Sequence, residues 1–205
     1  MEDHFARLAI PRRPWLDVEE LKQRFHELST EVHPDQSKND TVKSKAALEQ
    51  EFAEVNAAHQ CLINTKTRVR HLIKLELGQA PENVQSIPTK MTDWFMEIGA
   101  ICRKVDVFLT KKEQQDSPML QAGLMGEGME LHHEVAELHQ KLQTELAKID
   151  DSLKALNSDW ERLDGVIDGR ATRLPLVKLD ALGQRLSFWV KWSAQLGERS
   201  SRLMF

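Results

Sequence analysis

Ten apolar side chains recur at helical spacing between Leu131 and Leu163: Leu131, Val135, Leu138, Leu142, Leu146, Ile149, Leu153, Leu156, Trp160 and Leu163. Steps of three and four keep one face of an α-helix apolar, whereas a strand needs alternation. No proline or glycine interrupts the run. At 1.5 Å per residue a helix of this extent is roughly 50–60 Å long, so the chain must be organised around it. Two more stripes accompany it. Phe95, Ile98, Ile101, Val105 and Phe108 predict an inward face over about Thr92 to Lys112. Leu179, Leu182, Leu186, Trp189 and Leu196 predict another over about Leu176 to Leu203. Pro118 and Pro175 mark helix starts, while Gly123, Gly126 and Gly128 leave the beginning of the middle helix open. Three long amphipathic helices with short connections make an antiparallel bundle. The middle stripe, close to heptad spacing, also suits a dimeric coiled coil. Stripes on all three helices favour the intramolecular bundle.

Composition agrees with an all-α chain. Leu, Glu, Lys, Gln and Ala are plentiful, tyrosine is absent, and only nine of 205 residues are glycine. The net charge of -4 provides no positive field to steer the chain to nucleic acid. No segment reaches the roughly 18 apolar residues of a membrane span. The start, Met1 to Arg7, opens acidic and lacks an apolar run, unlike a secretory signal. These features predict a soluble, cytoplasmic protein with neither nucleic-acid nor membrane partners. Cys61 and Cys102 form no CxxC pair, which predicts reduced thiols and neither zinc nor redox motif. His132 and His139 lie seven apart without an evident third ligand, so no metal is expected there. No glycine-rich phosphate loop or nucleophile motif appears. A cofactor is therefore not expected, nor an active site.

The N-terminal third predicts a helical hairpin. Asp17 is placed to cap a helix, with Glu20 three residues on. Val18, Leu21, Phe25, Leu28 and Val32 form its apolar stripe, and Lys22, His26, Ser29 and His33 a neighbouring face. Pro34 ends the helix, because the residue before a proline is pushed out of the α region. His33 thus closes the helix and Asp35 enters a polar loop running to Asp40, itself a plausible cap. Leu48, Phe52, Val55 and Leu62 mark a second helix; Val69, Leu72, Ile73 and Leu77 mark a third, stopped at Gly78. Long helices with a short connection pack antiparallel. Residues 79–90, with two prolines and little periodicity, read as a linker. The expected domains are therefore 1–78, a linker over 79–90, and a helical bundle over 91–205.

A helical hairpin with His33-Pro34-Asp35 in its connection resembles the J domain. Phe25 and Leu28 before the triplet, the stretch Val55 to Leu62 after it, and Arg68 beyond carry the resemblance over about residues 4–78. Taken by itself, the triplet could be a helix stop and turn, with Asp35 bonded to local backbone. The resemblance implies a loop that docks on a heat-shock ATPase of the DnaK/HscA class. It implies an ion pair from Asp35 to a chaperone arginine, a positioned contact from His33, a loop fixed by Pro34, and electrostatic docking through Lys22 and His26. The chain would activate a partner's ATPase and be no enzyme itself. Departures from the family pattern are Val32 in place of an aromatic, Gln36 in place of a basic residue, and a first long helix whose Lys22, Arg24 and His26 are offset by Glu19, Glu20, Glu27 and Glu31.

A J domain followed by a helical bundle, without glycine-rich or zinc regions, is similar to the HscB type of co-chaperone. Arg68 to Leu75, Asp93 to Glu97, Leu186 to Phe188 and Leu203 to Phe205 carry this likeness, with an apparent insertion near residues 113–160. It implies delivery of the iron–sulfur cluster scaffold protein to its ATPase, with Phe95, Met96 and Phe188 as apolar client contacts. The family's acidic client contacts fall on Ala100, Arg103 and Val107 here. A general J protein with a different client, or a structural coiled-coil protein with an incidental triplet, are the alternatives.

Overall fold

Asp17 opens the first long helix as its pattern predicts, accepting hydrogen bonds from the amides of Glu19 and Glu20 at 2.8 and 3.1 Å. In this computed structural model, residues 2–32, 45–81, 87–115, 117–166 and 168–204 are described, and every regular element among them is helical. The helices are α1 (His4–Arg7), α2 (Val18–Glu31), α3 (Lys45–Ile63), α4 (Thr65–Leu77), α5 (Thr92–Glu113), α6 (Pro118–Gly123), α7 (Met125–Glu161), α8 (Arg170–Arg173) and α9 (Leu176–Leu203). A 3-10 turn, Thr89–Met91, leads into α5 and buries Met91 at what the sequence reads as the end of the linker. By contact density, Met1–Glu82 and Asp150–Gly183 form one compact unit, and Asn83–Ile149 with Gln184–Phe205 form another.

In the first unit α1 and α2 both pack on α3, and α3 packs on α4. Leu21, Val55, Ala58, Leu62, Val69, Leu72 and Ile73 are buried at this core, together with Phe5 and Leu8. Phe25, Leu28, Val32, Leu48 and Phe52 of the expected stripes are half-buried, and two others are exposed. Val18 and Leu77 are each 45% exposed, and each stands in the terminal turn of its helix. Gly78 takes φ 73°, the left-handed conformation that ends α4. Gly183 serves closeness instead: a Cβ there would meet Val69 Cγ1 at 3.0 Å.

Polar anchors in this unit were not evident in the periodicity. Arg13 is buried and donates to the Arg12 carbonyl at 2.8 Å and to Asp164 Oδ1 at 2.9 Å. Trp15 and Asn157 exchange two backbone-to-side-chain hydrogen bonds of 3.0 Å. The Glu76 side chain, 2% exposed, receives Arg170 bidentately at 3.0 Å on each oxygen, with Trp160 Nε1 donating at 3.3 Å. A charge buried so deeply persists because its lone pairs are filled by a planar cation.

His4 stacks on His71 with ring centroids 4.4 Å apart, and the His4 amide donates to His71 Nε2 at 3.2 Å. Burial, followed by repulsion from His4, pulls the His71 imidazole from 6.5 down to about 4; Asp3 opposes this, and Lys74 and Arg12 add to it. The folded state therefore takes up this proton later than the unfolded chain. The His71 contribution to stability is full above pH 6.5 and is lost as the pH drops towards 4. Thermal melting in chelator-containing buffer should show this acid limb, and His71→Gln should flatten it.

In the second unit α5, α7 and α9 are tied by side chains. Arg199 grips Asp106 at 2.8 and 3.0 Å. Lys104 pairs with Glu134 and Lys111 with Glu127, at 2.8 and 2.6 Å. His139 and His132 share hydrogen bonds with Ser193 and Ser200, at 2.8 and 3.1 Å. Ile98, Ile101, Val105 and Phe108 are buried from α5, and Leu186, Trp189 and Leu196 from α9. Phe95 is a correction to the inward stripe: it is 47% exposed, in the first turn of α5. The middle helix starts at Met125, so the glycines at 126 and 128 lie inside it. Its stripe is buried within the chain, Leu146 only partly.

Candidate functional site

The expected docking turn, His33-Pro34-Asp35, lies outside the described residues, as do Gln36 and Asp40. What the structure describes is the frame that carries it. On α2, Leu21 points into the core and Phe25 stacks on His59 of α3, with ring centroids 4.1 Å apart. This stack couples the middle of α2 to the C-terminal part of α3. Burial, then the nearby Lys22 charge, lowers the His59 pKa, which disfavours a charge on this ring.

The expected electrostatic face is exposed but largely self-paired. Lys22 Nζ sits 2.8 Å from Glu19 Oε1. Arg24 donates to the Leu8 carbonyl at 3.1 Å and pairs with Glu27 at 3.1 Å. His26 is exposed, and its carbonyl accepts from Thr30 Oγ1 at 2.9 Å. Exposed pairs of this kind contribute up to about 1 kcal/mol and are screened by salt. A partner would meet a face of low net charge rather than a basic stripe.

Arg68 holds the far end of the hairpin. It is 2% exposed. Its Nη1 donates to the Leu62 carbonyl at 2.7 Å, its Nε to the Pro14 carbonyl at 3.1 Å, and its Nη2 to Thr65 Oγ1 at 3.2 Å. It therefore caps the last turn of α3 and pins the segment leading into α2. Burial pulls its pKa from 12.5 to about 10, which still leaves it charged at neutral pH.

The expected client residues lie on α5 and α9 of the second unit. Met96 is 59% exposed, and with Phe95 it presents adjoining apolar side chains to solvent. Trp94 meets Trp189 edge-on at 4.8 Å, which draws the start of α5 to the middle of α9. Phe188, the neighbour of Trp189, is half-buried against Trp192 at 5.7 Å. Further along α5, Ala100, Arg103 and Val107 are exposed and line a groove of about 610 Å³ with Lys104, Glu130 and Glu134. No acid stands on α5 at those three positions.

The DnaJ domain model matches residues 3–71. The chain carries a J domain. The match contains α1 to α3, His33-Pro34-Asp35 and most of α4. Solved structures extend the likeness beyond it. The human co-chaperone protein HscB superposes with a TM-score of 0.61 at 17% identity, over 96% of this chain and 81% of that one. The chaperone HscB from Vibrio cholerae gives 0.59 at 17% identity, over 99% and 100%. The chain therefore has the HscB-like fold, a J domain joined to long helices. No helix among the described residues is long and apolar enough to cross a membrane.

Proposed function

We propose that this chain is a co-chaperone that stimulates the ATPase of a DnaK/HscA-class heat-shock chaperone. It delivers a client to that ATPase, the iron–sulfur cluster scaffold protein, for cluster assembly and transfer. The observation that carries this reading is a J domain holding His33-Pro34-Asp35, joined to an HscB-like arrangement of helices over nearly the whole chain. In this reading 1–78 is the chaperone-facing module, 79–90 the linker and 91–205 the client-facing module.

Asp35 supplies a short carboxylate to a chaperone arginine, a charge-assisted contact that gains from a rigid loop. Pro34 limits the ordering cost of that loop. His33 fixes its contact, and Lys22 and His26 contribute weakly because their helix face is nearly neutral. The chain performs no bond-breaking step. It biases its partner towards the hydrolysis-competent arrangement, a coupling between two sites of that partner.

On the client side, Phe95 and Met96 are exposed anchors on α5, and Phe188, half-buried on α9, is the third. Truncating exposed anchors weakens an interface without opening the core. The double variant Phe95→Ala, Met96→Ala should bind the scaffold at least about tenfold more weakly, which corresponds to about 1.4 kcal/mol. Its circular dichroism should stay unchanged. Unaltered affinity would move the client site elsewhere. Ala100, Arg103 and Val107 favour the second reading, a general J protein with another client. Chaperone stimulation without scaffold binding in a pull-down would select it.

A further inference from the structure

His4, Cys61 and His71 stand 57 and 10 residues apart in sequence, a spacing that resembles no metal motif. The fold brings them together: one ligand atom from each lies within 4.8 Å of the others. From this convergence we propose that His4, Cys61 and His71 form a binding site for a transition-metal ion, zinc being the occupant that fits best. The site stands on side chains of α1, α3 and α4, independently of the co-chaperone reading.

Metal–ligand bonds of about 2.0 Å to nitrogen and 2.3 Å to sulfur place tetrahedral ligand atoms about 3.3–3.6 Å apart. Reaching that spacing requires the His4 and His71 rings to turn out of their 4.4 Å stack, so that their in-plane lone pairs converge with the Cys61 sulfur on one point. Two imidazoles and a thiolate are ligands for zinc, cobalt(II) and copper(I), and poor ones for magnesium or calcium. His4 Nδ1 is buried without a hydrogen-bond partner, an unsatisfied nitrogen that a metal would satisfy. His71 keeps an unprotonated Nε2, shown by the amide hydrogen bond it accepts from His4; an ion would take over that lone pair.

Charged groups surround the three ligands: Arg12, Lys74 and Asp3 act on His71, and Arg68 acts on Cys61. Asp3 is committed to the amides of Phe5 and Ala6 and to Arg12, so it is not free to serve as a fourth ligand. Water or an added ligand would fill that position. Burial raises the Cys61 thiol pKa, against smaller opposing effects from Thr67 and Arg68. The bound ion must therefore displace the thiol proton to solvent: sulfur gives up its proton and donates the freed electron pair to the metal. One proton leaves per ion bound, with no change in oxidation state, and binding tightens as pH rises.

Cobalt(II) titration of the intact, reduced chain tests this directly. The expected result is one ion per chain with thiolate-to-cobalt charge-transfer absorption, displaced by zinc. That absorption should vanish in Cys61→Ser and persist in Cys102→Ser. Competition with a chromophoric zinc chelator should show affinity reduced at least about tenfold in His71→Gln, the scale expected of even an outer-shell loss. Matching circular dichroism of the variants would separate ligand loss from misfolding. Absence of the charge-transfer band in the wild-type chain, or its survival in Cys61→Ser, would overturn the assignment.

Discussion

Replacing His33 with glutamine is expected to abolish stimulation of the partner chaperone's ATPase while leaving helicity and melting temperature unchanged. The separation follows from what holds the hairpin. The hairpin is held by the Asp17 cap, the buried Leu21, the Phe25–His59 stack and the Arg68 anchor, none of which involves His33. Glutamine keeps polarity and approximate size but cannot place an imidazole against the partner. Lys22 and Arg24 sit beside acids, so the face has little net charge with which to offset a lost turn contact. Asp35→Asn should behave alike, because an amide cannot replace a carboxylate opposite a guanidinium. ATP turnover by the chaperone, with the variant titrated to excess, gives the readout; circular dichroism and melting give the control. Stimulation retained by both variants would refute the proposed roles.

Arg68→Ala carries the largest expected effect on stability. The substitution removes three hydrogen bonds from a charged donor and leaves the Leu62 and Pro14 carbonyls without that partner. Hydrogen bonds to charged groups contribute about 1.5–3 kcal/mol each, and a buried orphaned acceptor costs about 1–3 kcal/mol. Removing the buried charge recovers part of its desolvation cost. The net expectation is destabilisation of about 3 kcal/mol, a lowering of the melting temperature by roughly 6–12 °C for a chain of this size. Arg68→Lys should restore little, because a single ammonium cannot reach three acceptors in different directions. Denaturant unfolding of the three proteins would measure this; a loss below about 1 kcal/mol in Arg68→Ala would contradict the anchor role.

Much of the helical skeleton is legible from spacing because the three longest helices, α5, α7 and α9, each bury most of one stripe. The last helix runs from Leu176 to Leu203 as its pattern indicates, and α5 differs at its end by a single residue. Legibility failed where position, rather than residue type, decided the environment. Val18, Leu77 and Phe95 continue apolar periods yet stand in terminal turns of their helices, each about half exposed. The polar anchors were silent for another reason: Arg13 with Asp164 and Glu76 with Arg170 are separated by 151 and 94 residues, and periodicity reports only local faces. The interleaving of chain segments into two compact units has the same origin. Arg68 matches a family position in the sequence, but its task of capping α3 emerges only from the carbonyls around it. The expected client residues were named from resemblance. The structure adds their exposure, and it adds the groove beside them where Ala100, Arg103 and Val107 replace acids.

Single-turnover ATP hydrolysis by a DnaK/HscA-class chaperone, measured with and without this chain, is the most direct test of the co-chaperone reading. The account predicts faster hydrolysis with the wild-type chain, a further rise when the iron–sulfur scaffold is present, and the unstimulated rate with Asp35→Asn. An unchanged rate at saturating wild-type chain would contradict it.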